Sequence, residues 1–500
     1  MFAYLQNRPG YFLAITIVLN ILLHLPFINL PPCSIHVWRQ CNTLAVARNF
    51  YEEDGNILKP RVDRRFDTDG VTGMQFPAYE WVLSRIYMIT GEHYSIQRSY
   101  SLLITTLGLL AAAGFFSLLT GNAFFGALAA WILCWSPELF YQGINALPDI
   151  MAFSCGFGAL YATYSWKKDK LNKQLIAAFL LITLAGLIKM QYGIFGIFMA
   201  VSIFSPADKS KSTPWKENKK WLIPGIISVM LICGWYVYAN ELIRVSGLND
   251  YVLQLRPVSD GNQLLDTIRR NLISDLPELL LNYSNFIFFI LGGIVLLRNN
   301  SVKRILVTPF FAAGMAFLCW YFLMMEQMRV HQYYMLPVLL ITTFIILKGI
   351  RYCLERRFHL VAWILILCQP AIACIRILPA RWMKDDLGIP AQFADSRQLK
   401  TLIEAVPSQV GVITGPDKSG CIWLYFLHKK GFSFEESKAF FEKQKTGKVP
   451  FEEVKKRGGR WMYIRKGEIS NSILPIEGAL KIKTIGEFEI YKVTSVTDSL

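Results

Sequence analysis

Charged residues are scarce in this chain of 500 residues: they make up 18% of it, whereas hydrophobic residues make up 53%. The mean hydropathy is +0.34. A soluble protein of this length needs far more polar surface, so the composition excludes an ordinary soluble enzyme.

Acidic residues are fewer than basic residues, with 36 Asp and Glu against 52 Lys and Arg. The net charge of +16 does not indicate nucleic-acid binding, because no single soluble face collects the basic residues.

The sequence also lacks a zinc-type ligand pattern, internal repeats and low-complexity segments. Seven of the ten cysteines lie in or beside apolar runs, where they are expected to pack as small apolar side chains. Cys33 and Cys41 share the first loop and are able to pair only if that loop faces an oxidising space. Cys421 stands alone in the tail. No small-residue cleavage site precedes Pro31, so the first apolar run predicts an uncleaved helix rather than a secretory signal.

Apolar runs recur along the chain and predict a polytopic α-helical membrane protein with about eleven transmembrane helices. Several runs are shorter than the ~20 residues that a straight span needs, so aromatic or amphipathic flanks must complete them. The eleven runs are 11–30, 99–119, 123–137, 150–166, 174–188, 190–205, 221–240, 279–297, 305–325, 333–347 and 360–375.

Four basic clusters in the short loops set the expected orientation. With eleven spans and a cytoplasmic N-terminus, all four lie on the cytoplasmic side, as the positive-inside tendency requires. The loop after the first span and everything after residue 376 then lie outside the cytoplasm. The expected location is the plasma (inner) membrane. The clusters contain Lys167, Lys168, Lys170 and Lys173; Lys209, Lys211, Lys216, Lys219 and Lys220; Arg298, Lys303 and Arg304; and Arg351, Arg356 and Arg357.

Residues 34–77 form the most unusual loop, because basic, acidic and aromatic side chains alternate along it. Leu44, Ala47 and Tyr51 have helical spacing, which predicts a helix over residues 42–53 that lies along the membrane surface. So dense a mixture of charges beside a membrane segment is typical of the floor of an active site. The alternative is a polar loop that merely connects two helices.

Asp149 follows the third predicted span in the sequence SPELFYQGINALPDIMAF and begins the fourth. A carboxylate at the outer mouth of a helix is a candidate for chemistry. Pro148 followed by an acid is equally an ordinary helix start, where the carboxylate complements the helix dipole.

Lys189 lies between two short apolar runs in LAGLIKMQYGIF. It is placed either to meet a lipid phosphate or to extend to the membrane interface. A second cationic and aromatic group occurs in MEQMRVHQYYMLP, where the alternatives are phosphate binding and an interfacial aromatic belt. The residues of that group are Arg329, His331, Tyr333 and Tyr334.

The tail changes in composition after about residue 390 and predicts a small extracytoplasmic α/β domain over residues 390–500. Strands are predicted at QVGVIT, WMYIR and GEFEIYKV, and helices at CIWLYFLHKKG and SFEESKAFFEKQ. A domain of this size is able to form a modest core of its own. Acceptor selection, capping of a cavity and a structural role are all compatible with this pattern.

The ordered motifs WRQCNTLAVARNF, PRVD, QFP, LPD and HQYYMLP resemble the GT-C superfamily of membrane glycosyltransferases, and glycosyltransferase family 39 in particular. That family includes protein O-mannosyltransferases and the aminoarabinose transferase of lipid A. The resemblance implies a GT-C transmembrane domain over residues 1–380, including an outer loop at 31–98. It also implies a polyprenyl-phosphate sugar as donor and a glycan, lipid or protein as acceptor. Because such a donor contains no nucleotide, no nucleotide-binding Gly-rich loop is needed.

The resemblance implies that an acceptor group attacks the anomeric carbon while a lipid phosphate leaves, with a carboxylate as base and cations or a divalent metal at the phosphate. The metal itself is unknown. Asn42 and Gln75 stand where relatives usually have acids, and an amide cannot accept a proton at neutral pH. The expected catalytic carboxylates are therefore Asp149, which matches an outer-loop acid of the family, and Asp63. Glu80 is the remaining candidate for the base. The expected substrate-binding residues are Trp38, Arg39, Asn42, Gln75, Lys189, Arg329, His331, Tyr333 and Tyr334.

Two other classes of function remain open from the sequence. A lipid or solute transporter is expected to have interrupted helices in two matching halves, and no such symmetry is evident. A relative that binds the lipid phosphate but has lost catalysis is compatible with the amides at positions 42 and 75.

Overall fold

The structure is a computed structural model, and most of it is helical. It describes residues 2–65, 68–204, 217–248, 255–298, 309–356, 358–382, 397–407, 411–415, 417, 419–433, 459–465 and 479–493. The α-helices are Phe2–Asn7, Pro9–His24, Val37–Glu52, Ala78–Thr90, Tyr94–Thr120, Ala123–Cys134, Pro137–Gln142, Pro148–Asp169, Asn172–Ile188, Gly193–Phe204, Leu222–Ser246, Gly261–Arg270, Tyr283–Arg298, Pro309–Leu323, Met325–Val330, Leu339–Leu354, His359–Leu367, Gln369–Ile377, Arg397–Glu404 and Ile422–Phe426. Short 3₁₀ segments occur at Leu25–Phe27, Met190–Tyr192, Lys219–Trp221 and Gln332–Val338, and π-helical segments at Asn271–Leu280 and Leu378–Trp382.

Each of the eleven predicted apolar runs overlaps a helix, and the multi-pass helical character of the protein is confirmed. Within the described ranges, five helical segments are long and apolar enough to cross a membrane: Pro9–Phe27, Tyr94–Thr120, Lys219–Ser246, Gln332–Leu354 and His359–Trp382. The pair Gly261–Leu280 and Tyr283–Arg298, bent by 116°, is a sixth if it is one broken span. Shorter apolar helices lie at Ala123–Cys134, Asn172–Ile188, Met190–Phe204 and Pro309–Leu323. The number of about eleven spans stays a prediction.

The chain divides into two compact units. Unit 1 contains Met1–Ile28, Gln97–Val237 and Leu253–Trp382, and unit 2 contains Asn29–Ile96, Tyr238–Val252 and Met383–Leu500. The predicted first loop and the predicted C-terminal domain thus belong to one compact unit.

Small residues allow helices of unit 1 to cross closely. A Cβ atom on Gly292 would overlap the carbonyl oxygen of Ile345, and one on Gly349 would overlap that of Phe288. Because backbones touch at this crossing, only glycine fits there, as is common where membrane helices pack together.

Unit 2 contains a five-stranded sheet in the order β2-β1-β3-β5-β4. The strands are β1 Val412–Gly415, β2 Gly431–Ser433, β3 Trp461–Arg465, β4 Ala479–Ile485 and β5 Phe488–Val493. β1 pairs in parallel with β2 and β3, whereas β3–β5 and β4–β5 are antiparallel. The strands predicted at QVGVIT, WMYIR and GEFEIYKV and the helix predicted in CIWLYFLHKKG are present, while the helix predicted at SFEESKAFFEKQ lies outside the described residues except for its first position.

Val37–Glu52 is the central helix of unit 2, and it covers residues 42–52 of the helix predicted over residues 42–53. Its residues 37 and 39–50 are all buried, so this helix is packed on nearly every side. The Arg48 guanidinium binds both carboxylate oxygens of Glu92 at 2.8 Å and donates to the Tyr425 carbonyl at 2.9 Å. The helix is therefore fixed to the tail as well as to the loop.

Candidate functional site

The start of helix Pro148–Asp169 places Asp149 in the interior of unit 1. Leu147 precedes the helix with extended backbone, and Pro148 occupies the first turn, where the missing N–H group costs nothing. The Asp149 side chain is completely buried. Its Oδ1 accepts a hydrogen bond from Gln191 Nε2 at 3.2 Å.

Lys189 lies at a break between helix Asn172–Ile188 and the 3₁₀ turn Met190–Tyr192, where its backbone is extended. The break turns the side chain inward instead of along a helix face. Its Nζ is 3.6 Å from Asp149 Oδ2 and 5.0 Å from the centroid of the Tyr334 ring, and 12% of the side chain is exposed. The lysine is thus held between a carboxylate and an aromatic face.

The 3₁₀ segment Gln332–Val338 supplies the aromatic wall of this cluster. The Tyr333 and Tyr334 rings are 5.1 Å apart, and the His331 ring is stacked 5.6 Å from Tyr333 and 6.1 Å from Tyr334. The structure therefore brings together five of the predicted residues in what we call the Lys189 cluster: Asp149, Lys189, His331, Tyr333 and Tyr334.

Arg329 is half-buried on helix Met325–Val330, two residues before His331. Its Nε atom has no hydrogen-bond partner among the described residues. A buried guanidinium N–H group without a partner is costly, so this atom is available to a ligand.

Gln191 was missed by reasoning from the sequence, although it binds Asp149 directly. Tyr192 and Tyr236 were also missed. Tyr192 is completely buried, and the Tyr236 hydroxyl accepts from the Met190 N–H at 3.2 Å. The polar residues that follow Lys189 between two apolar runs were the only signal, because a polar break in an apolar region marks a place where backbone groups need other partners.

The remaining predicted residues lie in unit 2. Trp38, Arg39 and Asn42 are on the first turns of Val37–Glu52, and Arg39 and Asn42 are buried. Gln75 is half-buried and donates from Nε2 to Glu80 Oε1 at 3.4 Å. Glu80 is completely buried in the first turn of Ala78–Thr90.

Asp63 has an environment typical of a structural carboxylate. Its Oδ1 accepts from Asn49 Nδ2 at 3.0 Å, and its backbone carbonyl accepts from the Gly431 N–H at 2.9 Å, which joins the loop to β2. Burial raises the pKa of Asp63, while nearby Arg48 acts in the opposite direction.

The described residues do not form a metal cage of their own, since nowhere among them do three or more His, Cys, Asp or Glu side chains lie together in a suitable arrangement. The chemistry that the Lys189 cluster offers is that of a cation beside a carboxylate, with aromatic rings and the Gln191 amide around it.

The family model of dolichyl-phosphate-mannose-protein mannosyltransferases matches residues 75–238. No curated protein matches this sequence. Solved structures do resemble the chain. The apo structure of ArnT from Cupriavidus metallidurans is 11% identical with a TM-score of 0.58, over 95% of this chain and 97% of that one.

The structure of the same ArnT bound to undecaprenyl phosphate is also 11% identical and has a TM-score of 0.60, over 98% of this chain and 99% of that one. A cryo-EM structure of the arabinofuranosyltransferase AftD from Mycobacteria is 12% identical with a TM-score of 0.60, over 98% of this chain and 41% of that one. The chain therefore has the GT-C fold of these two proteins, and the match of the mannosyltransferase family model over residues 75–238 agrees with it.

Proposed function

We propose that this protein is a membrane glycosyltransferase that moves a sugar from a polyprenyl-phosphate donor to an acceptor on the extracytoplasmic side of the plasma (inner) membrane. The observation that carries the proposal is the Lys189 cluster, in which a cation lies 3.6 Å from a completely buried carboxylate inside a GT-C fold. The likeness to an ArnT structure bound to undecaprenyl phosphate supports this class of donor.

The donor phosphate is assigned to the cationic side of the cluster. Lys189 provides an ammonium group over the Tyr334 ring, and His331, which stacks on the same ring, provides a ring N–H group. Arg329, two residues before His331, has an Nε atom that lacks a partner in the described part of the chain. Charge-assisted hydrogen bonds to phosphate are among the strongest that a protein makes. These groups also stabilise the negative charge that grows on the phosphate as it leaves.

Asp149 is assigned as the general base. The acceptor hydroxyl or amine loses its proton to the Asp149 carboxylate and forms a bond to the anomeric carbon, while the bond from that carbon to the phosphate oxygen breaks. The products are the glycosylated acceptor and the polyprenyl phosphate. The Lys189 ammonium lies 3.6 Å from Asp149 Oδ2, and the hydrogen bond from Gln191 to Oδ1 fixes the orientation of the carboxylate.

Trp38, Arg39, Asn42 and Gln75 are proposed to hold substrate by hydrogen bonds and stacking. Asp63 remains the second carboxylate proposed near the reaction, although the hydrogen bond that it accepts from Asn49 and the bond from the Gly431 N–H to its carbonyl favour a supporting role. Glu80 is the next candidate, because it is completely buried and bonded to Gln75.

The second candidate function is a lipid-phosphate-binding relative without turnover. The observation that favours it is the presence of amides at Asn42 and Gln75, where the family usually has acids. This function requires the Lys189 cluster to bind the donor phosphate but leaves Asp149 without a role in proton transfer.

The test uses the full chain in lipid nanodiscs. Binding of undecaprenyl phosphate is measured first, and then the release of undecaprenyl phosphate from a panel of undecaprenyl-phosphate sugars with membrane extract as acceptor. Asp149→Asn is expected to retain binding and to lose release, since the amide cannot accept a proton. Asp169→Asn, at the exposed end of the same helix, is the matched control and is expected to behave as the native protein.

Full release by Asp149→Asn would show that the assigned base is wrong and would move the role to Asp63 or Glu80. Binding without release in the native chain, with release created by Asn42→Asp, would establish the second candidate function. Absence of binding and of release would overturn both.

A further inference from the structure

Two buried tryptophans join the ends of two helices in unit 1, and neither has a role in the proposed reaction. Trp166 lies in the last turn of helix Pro148–Asp169, and Trp221 ends the 3₁₀ turn Lys219–Trp221. Their rings meet edge to face with centroids 6.2 Å apart, and the Phe179 ring stacks on Trp221 at the same distance. The pair is therefore held in place by aromatic packing.

Each tryptophan ring also holds a lysine ammonium group. Lys170 Nζ lies 4.9 Å from the centroid of the Trp166 ring, and Lys220 Nζ lies 5.3 Å from that of Trp221. Lys170 has left-handed backbone geometry (φ 62°), which is uncommon for a residue other than glycine. Neither ammonium group forms an ion pair with a carboxylate among the described residues. Both charges are thus positioned by the rings and available to an anion. We call these four residues the Trp221 site.

The Trp221 site contains a buried donor that points to a ligand. Trp221 is 8% exposed, and its indole Nε1 has no hydrogen-bond partner in the described part of the chain. A buried tryptophan usually finds a partner for this N–H group, because leaving it unsatisfied is costly. An N–H group beside two ammonium groups suits an acceptor that carries negative charge, and a phosphate is such an acceptor.

The sequence around the Trp221 site is strongly basic. Residues 167–173 and 217–221 contain six lysines and two acidic residues, a net charge of +4. Lys167 already donates to the Ser202 carbonyl at 2.9 Å, whereas Lys168, Lys173 and Lys219 are exposed. Such a concentration of positive charge attracts anions before any direct contact is made.

Apolar side chains are exposed on both helices that continue from the Trp221 site into the membrane. Ile176 and Leu180 are 52% and 68% exposed on helix Asn172–Ile188, and Ile223 is 64% exposed near the start of the span Lys219–Ser246. A free anion gains nothing from such faces, whereas acyl chains cover them. A phosphate site next to exposed apolar helix faces is the arrangement that a phospholipid fits.

We propose that the Trp221 site binds an anionic phospholipid of the adjoining leaflet, which is cytoplasmic in the predicted orientation. The lipid phosphate accepts a hydrogen bond from Trp221 Nε1 and pairs with the Lys170 and Lys220 ammonium groups, and the acyl chains lie along the exposed faces of the two helices. The occupant is a lipid and not a free phosphate, because the apolar faces adjoin the charges. The site uses no residue of the proposed reaction and is independent of it.

Charge variants separate this site from the general positive charge of the same membrane side. The double variant Lys170→Gln, Lys220→Gln removes both ammonium groups of the site. Its matched control is the double variant Arg351→Gln, Arg356→Gln, which removes two charges from another basic cluster predicted on the same side. That cluster differs in its contacts, since Arg351 is paired with Glu355 at 2.7 Å.

A second pair of variants tests the indole donor without changing any charge. Trp221→Phe removes the Nε1–H group and keeps an aromatic ring. Trp320→Phe is the matched control, because Trp320 Nε1 also has no partner among the described residues but lies in helix Pro309–Leu323, outside the Trp221 site.

The experiment titrates the full chain in detergent micelles with phosphatidylglycerol or with phosphatidylcholine of the same acyl chains, and native mass spectrometry gives the affinity for the first bound lipid. The native protein is expected to prefer phosphatidylglycerol by about tenfold, because the lysines repel the choline cation. The double lysine variant is expected to lose this preference, and Trp221→Phe to bind phosphatidylglycerol about tenfold more weakly. Both controls are expected to bind as the native protein does, and millimolar inorganic phosphate to leave the lipid bound.

Equal affinity of the native protein for the two lipids would overturn the proposal. An equal loss in the double arginine variant would overturn it too, by showing that any basic cluster attracts the lipid. Displacement by inorganic phosphate would identify a site for a free anion instead of a lipid. If the double lysine variant does not fold, Trp221→Phe decides the result, and unchanged phosphatidylglycerol affinity in that variant would reject the site.

Discussion

Lys189 Nζ lies 3.6 Å from Asp149 Oδ2, although Asp149 begins one helix and Lys189 lies at the break after the next helix. The distance is too long for a hydrogen bond and short enough for strong charge interaction where the carboxylate is completely buried. A phosphate that approaches Lys189 therefore competes with Asp149 for the same cation. Binding of the donor is therefore expected to loosen this pair.

The first prediction concerns binding of the lipid phosphate. Lys189→Ala and His331→Ala are each expected to weaken undecaprenyl phosphate binding by roughly 1.5–3 kcal/mol, because a charged contact to the phosphate is lost. Titration of the lipid into nanodisc-embedded protein measures the change. Lys483→Ala removes an exposed lysine elsewhere and is expected to have no effect. Unchanged binding in both site variants would return Lys189 to the interface and His331 to an aromatic belt.

The second prediction concerns orientation in the membrane. With native cysteines replaced, a cysteine at Lys59 or at Leu480 is expected to react with a membrane-impermeant maleimide in intact spheroplasts, since both positions are exposed and belong to the parts predicted to be extracytoplasmic. A cysteine at Lys168 is expected to react only after lysis. The opposite pattern would contradict the orientation derived from the basic clusters.

The third prediction concerns the stability of unit 2 and its dependence on pH. Arg48→Met is expected to destabilise the protein by about 1.5–3 kcal/mol, because it breaks a bidentate ion pair and leaves Glu92 without its partner. Although burial favours protonation of Glu92, Arg48 holds its pKa below the ordinary value. The pair therefore contributes stability above about pH 4.3, the ordinary pKa of Glu, and loses it as the pH falls through the lower pKa of the folded state.

Hydrogen exchange of helix Val37–Glu52 in the full chain, measured across this acidic range, tests that prediction. Glu92→Gln is expected to flatten the pH profile. An unchanged slope in Glu92→Gln would show that the acid sensitivity comes from other carboxylates.

The fourth prediction concerns helix packing in unit 1. Gly292→Ala is expected to destabilise the protein by about 1–3 kcal/mol, because the added Cβ overlaps the Ile345 carbonyl oxygen and forces two helices apart. Gly293→Ala, one position along, meets nothing within 4 Å and is expected to be close to neutral. Thermal unfolding in detergent compares the two, and equal midpoints would contradict the close crossing.

Much of the architecture follows from local sequence. Apolar runs predicted where the helices lie, because each span must satisfy its own backbone and cover it with apolar side chains. Pro148 followed by Asp149 predicted a helix start, and a helix does begin there. The strands of the tail were likewise visible as short runs rich in β-branched and aromatic residues.

What the sequence by itself determined is thus the membrane class and the order of the helices, and it supplied a set of residues predicted to meet a phosphate. Only the tertiary structure decided which of them lie together. Lys189, Asp149 and Tyr334 are distant in sequence, and their contact depends on packing among three helical segments. The same holds for Glu138 and Arg381, since no local pattern records which buried charge a second buried charge will face. Periodicity reports the face of one element, whereas a site is a contact between elements, and that contact is fixed by how their surfaces fit.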